Sequence, residues 1–230
     1  MAKNNIAAAQ PQGVELNKQE AVFLKYRKQI LAAVVAVIVV IAGYIGYNTF
    51  IAGPREDKAS DALAKANVAF MQGDFKKALN GDKTQEGFLA VADNYGMTDA
   101  ANLANAYAGL CYFQMGKYQD AVTYLEKFST KKDAFISPAI VAALGHAYAN
   151  TGDIDKAISK LKDAADMADS RAEDGVNNAT APGYLMDAAR LLESQNKKSE
   201  ALDIYKSIKD KYQASAYSQD IDKYIERCSE

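Results

Sequence analysis

The chain has 230 residues, with 27 lysines and arginines against 29 aspartates and glutamates, one histidine, two cysteines and no tryptophan. A formal charge of −2 argues against a polyanion-binding protein, and one histidine with two cysteines 117 positions apart makes no tight zinc-ligand cluster in the sequence. Alanine is abundant and only four prolines occur, which favours helices.

Charge is unevenly spread along the chain. Residues 1–29 hold Lys3, Lys18, Lys25, Arg27 and Lys28 against Glu15 and Glu20, a net of +3. Residues 30–51, ILAAVVAVIVVIAGYIGYNTFI, carry no charge. As a helix they span roughly 33 Å, against about 30 Å of hydrocarbon. Twelve of them are Ile, Leu, Val or Phe, which favours insertion by about 4–7 kcal/mol. A cleavable signal peptide expects a shorter run and a small-residue site, and bulky Phe50 stands where that site belongs. The expected organisation is a cytoplasmic segment at 1–29, a transmembrane helix at 30–51 and an extracytoplasmic domain at 52–230. The basic flank sets the orientation.

Beyond Pro54 the pattern is one amphipathic helix after another. MQGDFKKAL, QMGKYQDAVTYL, NTGDIDKAISKL and SQNKKSEALDIY share a turn residue (Gly73, Gly116, Gly152, Asn196) five positions before an alanine (Ala78, Ala121, Ala157, Ala201). The alanines lie 43, 36 and 44 residues apart, a period that points to stacked helix pairs. The turn residue suits left-handed backbone angles at a helix end, and the alanine must be small because two helices cross there. Gly109 with Tyr112 and Gly145 with Tyr148 precede the middle turns; Ala189 stands in the fourth unit where they have glycine. The first unit is irregular after Leu79, and its second helix is expected to be broken and extended to about Tyr95. Residues 169–183 form a polar loop that delays the fourth unit. Tyr217, Ile221, Tyr224 and Cys228 mark a closing helix.

Gly145, Tyr148, Gly152, Ala157, Leu161 and Ala164 resemble the tetratricopeptide signature, and Gly109, Tyr112, Gly116, Ala121 and Leu125 resemble it well. The implied fold class is all-α: one N-terminal transmembrane helix, then a tetratricopeptide-repeat α-solenoid of about four helix pairs with a C-terminal capping helix. The whole arrangement is similar to the YfgM family of ancillary subunits of the SecYEG translocon. Its stretch GFLAVADNYGMTDAANLANAYAGLCYF looks like Bacteroidetes-type members. That resemblance implies a single-pass protein of the bacterial inner membrane with a periplasmic domain. It further implies polypeptide partners: SecYEG, periplasmic chaperones or exported chains.

Catalytic motifs are not found. There is no CxxC, HExxH, GxSxG, Walker loop or GxGxxG in the sequence. The expectation is a protein that is not an enzyme, without cofactor, metal or small-molecule substrate, and without nucleic acid as a partner. Cys111 and Cys228 are expected to stay unpaired. In repeats of this type the first helices line a groove. An i, i+4, i+7 stripe then assigns Ala142, His146 and Ala149 to it, with Ala106, Leu110 and Phe113 before them and Met186, Arg190 and Glu193 after. Leu63, Asn67 and Phe70 extend the surface. Leu110 and Phe113 read equally well as core. The readings in other classes are an envelope scaffold for cell-wall or outer-membrane assembly with no translocon link, and an enzyme using His146.

Overall fold

The computed structural model describes residues 18–229, so most of the expected 1–29 segment, up to position 17, lies outside the described residues. The described chain divides into two compact units that meet at Gly53–Pro54. In the first, α1 (Lys18–Tyr47) passes into a π-helical turn (Asn48–Ala52). Its apolar stretch reaches a mean hydropathy of 2.6 with none of that window buried, so it is long and apolar enough to cross a membrane.

The second unit is built entirely of helices among the described residues, with one isolated backbone bridge between Gly81 and Glu86. In chain order they are α2 (Gly53–Met71), α3 (Phe75–Asn80), α4 (Phe88–Asn94), α5 (Asp99–Gln114), α6 (Tyr118–Leu125), α7 (Ile136–Thr151), α8 (Ile154–Asp169), α9 (Ala181–Ser194), α10 (Lys198–Lys211) and α11 (Ile221–Ser229). Helices α5/α6, α7/α8 and α9/α10 pair, and each pair packs on the next, with α11 closing the row against α10. This is the expected solenoid. The first unit's second helix is interrupted into α3 and α4 by the loop 81–87.

Four turns repeat one geometry. Gly73, Gly116 and Gly152 take φ of +77, +73 and +89°, and Asn196 takes +59°. In each turn the next residue's N–H returns to a carbonyl five positions back: Asp74 to Ala69, Lys117 to Tyr112, Asp153 to Tyr148 and Lys197 to Leu192, at 2.9–3.0 Å. The left-handed residue thereby satisfies carbonyls that the ended helix leaves open and reverses the chain for the partner helix.

Once reversed, the helices of a pair touch through small residues. A Cβ on Gly109 would lie 2.6 Å from Leu125 Cγ and 3.0 Å from the Leu125 backbone nitrogen; on Gly145 it would lie 3.0 Å from Leu161 Cγ and 3.1 Å from Ala157 O. Ala121, Ala157 and Ala201 are fully buried on the second helices. The core follows the stack as three successive clusters, each shared between neighbouring helices, the first of them centred on Phe88, Val91, Ala104 and Ala108.

Long-range polar contacts hold the row together. Glu56 accepts from the N–H groups of Asp99 (2.7 Å) and Ala100 (2.9 Å), capping α5 from 43 residues away. Asp169, 5 % exposed, accepts from Asn177 N (2.7 Å), Tyr212 Oη (2.6 Å) and the Lys211 ammonium. The 170–180 connection is thus tied back to the end of α8 and to α10.

Gly109→Ala should cost more than its intrinsic gain in helix propensity of about 0.5–1 kcal/mol. The overlap with Leu125 predicts a net loss of about 1–3 kcal/mol, read as a melting temperature lower by several degrees. Gly145→Ala, with looser contacts, should lose less.

Candidate functional site

The first helices of the pairs lie side by side, so the stripe each presents is set by helical periodicity and by how its neighbour covers it. On α2 the stripe is Leu63, Asn67 and Phe70; on α5 it is Leu103, Ala106, Leu110 and Phe113; on α7 it is Ala139, Ala142, His146 and Ala149. No charged side chain occupies any of these positions. Between α5 and α7 the face opens into a recess of about 340 Å³ lined by Leu103, Ala106, Tyr107, Leu110, Phe135, Ile136, Ala139 and Ile140.

The far wall of that recess is built by the start of α7. Asp133 Oδ1 accepts from the backbone N–H of Phe135 (3.1 Å), Ile136 (2.6 Å) and Ser137 (3.0 Å), and Oδ2 accepts from the Ser137 hydroxyl. Burial disfavours the Asp133 carboxylate, but these hydrogen bonds outweigh it and hold the pKa below the usual value. Phe135 and Ile136 stay 63 % and 54 % exposed.

Towards α9 and α11 the face turns polar. His146 Nε2 lies 3.5 Å from Asp187 Oδ2, and Arg190 donates to Asp187 Oδ1 (3.2 Å) and to the Tyr224 hydroxyl (3.4 Å). Arg227 donates to both Glu193 oxygens at 3.2 and 2.6 Å. Both guanidiniums lie within 6 Å of the Tyr224 ring, at 5.8 and 5.0 Å. Burial penalises the Glu193 carboxylate, yet hydrogen bonds from Cys228 and Arg227 keep its pKa below the usual value.

Of the expected groove residues, Ala106, Ala142 and Met186 are buried, and the others are half-buried or exposed. Leu110 is half-buried and lines the recess, His146 and Ala149 are half-buried, and Arg190 is exposed. Phe113 is half-buried, with its ring edge against Tyr118 at 5.3 Å. Ala142 and Met186, at 2 % and 0 % exposed, belong to the core instead. They share one cluster with Leu161, Leu192 and Tyr205, built where α8 packs on α7 and α9. Glu193 braces α11 and is largely committed to Arg227 and Cys228. Sequence reasoning missed Phe135, Ile136 and Asp187. The Asp133-x-x-x-Ser137-Pro138 start of α7 is the signal that a cap there would hold apolar neighbours outward.

Among the described residues, no group of three or more His, Cys, Asp or Glu side chains is placed to hold a metal ion. Both cysteines are free and buried. Burial raises the thiol pKa of Cys111 to about 12; burial and then the Glu193 hydrogen bond raise that of Cys228 to about 11. At pH 8 the thiolate fraction is then about one in a thousand or less. Iodoacetamide at that pH should leave the native protein unmodified and label two thiols after unfolding, counted by intact-mass spectrometry.

Comparison with known proteins returns a tetratricopeptide repeat-like domain over residues 21–175. No curated protein matches the sequence. Among solved structures, this chain is similar to nearly identical TPR-like repeats assigned to a kinesin light chain of Podosopora anserina. That likeness has a TM-score of 0.51 and 14 % identity, covering 76 % of this chain and 94 % of the other. At that identity it supports the repeat fold alone.

Proposed function

The chain belongs to the tetratricopeptide repeat-like domain family, and from that premise we propose that it is a membrane-anchored scaffold that captures polypeptides on its first-helix face. One observation carries this reading: between the first helices α5 and α7 the surface opens into an apolar recess lined by no charged side chain. Buried catalytic or metal-holding constellations have no counterpart in the described geometry, whereas an elongated apolar face suits a peptide.

In this reading residues 30–51 span the bilayer, with the basic flank Lys25, Arg27 and Lys28 retained on the cytoplasmic side and the repeats from 52 onward in the periplasm of a bacterial inner membrane. The similarity to the ancillary translocon subunits extends the proposal to a place beside SecYEG, where exported chains are met and handed to chaperones. Anchoring supplies the mechanism. A weak groove confined to the membrane plane near a translocon sees its partner at a raised effective concentration, so modest intrinsic affinity suffices.

A photo-crosslinking residue at exposed Ala139 tests this in cells. SecY, SecE, SecG or exported chains among the adducts are expected. Recovery of cell-wall or outer-membrane assembly enzymes without translocon subunits would overturn the translocon role in favour of an envelope scaffold. His146→Gln should complement a deletion fully, because an imidazole beside Asp187 on an open face acts as a contact. Loss of complementation with an intact fold would point to catalysis.

A further inference from the structure

We propose that the recess between α5 and α7 seats an uncharged aliphatic or aromatic side chain of a partner polypeptide, and that uncharged segments, not acidic ones, are what the groove selects. The inference rests on the scaffold reading above and names the chemistry of its ligand.

Size comes first. A dry cavity of about 150 Å³ accepts benzene; the recess of about 340 Å³ has room for an aromatic ring and an adjoining methylene group. Next is the lining. Leu103, Leu110, Phe135, Ile136 and Ile140 contribute only carbon, and Tyr107 contributes the one polar side-chain atom. A charged ligand group would lose its hydration there with no partner in return.

The third point is that the wall is held open. Large apolar side chains left in water normally fold onto the nearest apolar surface. Phe135 and Ile136 instead stay 63 % and 54 % exposed at the rim, on backbone that three N–H groups and a hydroxyl fix to Asp133. A ligand side chain therefore meets a rim whose backbone is already set, which lowers the backbone share of the ordering cost.

The polar end of the face decides against an acidic partner. Asp187 and Glu193 already compensate Arg190 and Arg227. A ligand carboxylate would have to displace a carboxylate of the same protein, at no net gain in charge pairing. Charge complementarity across the face favours a neutral segment, with Arg190 and His146 offering donors to its backbone carbonyls.

The test uses the full chain in nanodiscs of zwitterionic lipid and two fluorescein-labelled decapeptides on a Ser/Gly/Asn background. One carries a central Phe-Leu pair and the other a central Asp-Asp pair; fluorescence anisotropy gives Kd. The Phe-Leu peptide should bind at least about tenfold tighter, changing less than about twofold between about 50 mM and about 500 mM NaCl, since exposed charge pairing would be screened over that range. Ile136→Asp, at an exposed position, should weaken it at least about tenfold with an unchanged melting temperature, and Leu110→Asp should do the same if it folds. Equal or tighter binding of the Asp-Asp peptide, or an Ile136→Asp variant that binds normally, overturns the proposal. So does displacement of the peptide by a short-chain phospholipid, which would make the recess an acyl-chain site. Failure of both peptides while Ala139 still crosslinks polypeptides in cells sinks the recess and spares the scaffold. Loss of both sinks both.

Discussion

The close approach of the two helices in each pair is the constraint on which the rest depends. A methyl group on Gly109 would overlap Leu125 and one on Gly145 would press tightly on Leu161, and fully buried alanines stand on the opposing helices. That contact fixes how deep each second helix sits, and so how far apart successive first helices lie. A shared first-helix face exists only because that spacing repeats. Nearest-neighbour packing then carries the geometry along the row, which is why the core is a chain of clusters and has no single centre.

Local requirements made most of the fold legible from the sequence. A left-handed turn leaves its trace in Gly73, Gly116, Gly152 and Asn196, and a close crossing leaves its trace in the alanines five positions on. The interrupted helix after Leu79 was legible too, because the glycine pair Gly81 and Gly87 cannot continue a regular helix. The site was legible only in part. Periodicity assigns Leu110, His146 and Arg190 to one stripe, and none of the three is fully buried, but it is blind to the neighbouring helix. Ala142 and Met186 share the same period and are covered, because α8 packs on both α7 and α9 and the three build one core cluster. Glu193, expected on the groove stripe, is engaged by Arg227, a partner 34 residues away that no helical pattern announces. Phe135 and Ile136 were missed because they precede the regular helix, where the controlling feature is a hydrogen-bonded cap.

The face joins two regions with different physics. Over α2, α5 and α7 it carries mainly apolar area, with Asn67, Tyr107 and His146 as its polar side chains, and its strength rises with the carbon surface a ligand covers, about 25 cal/mol per Å² before ordering costs. Towards α9 and α11 the charges are paired within the chain and largely exposed, and such pairs contribute little to stability, about 0–1 kcal/mol each. Their effect is to shape: Asp187, Arg190, Tyr224 and Arg227 orient one another and join α9 to α11. Grip and register are thereby assigned to different ends of one surface.

The buried carboxylate of Asp169 has a consequence for how such a protein can diverge. It fastens Asn177 and Tyr212 to the end of α8, so the helices on either side are registered by a knot beneath the connection and not by the connection's own length. Residues between Ser170 and Val176 can then lengthen, shorten or change composition while the fourth pair keeps its place in the row. Lineages of this chain should drift fastest in that stretch, where insertions are accepted without loss of alignment, with Asp169 and Tyr212 standing as its fixed banks.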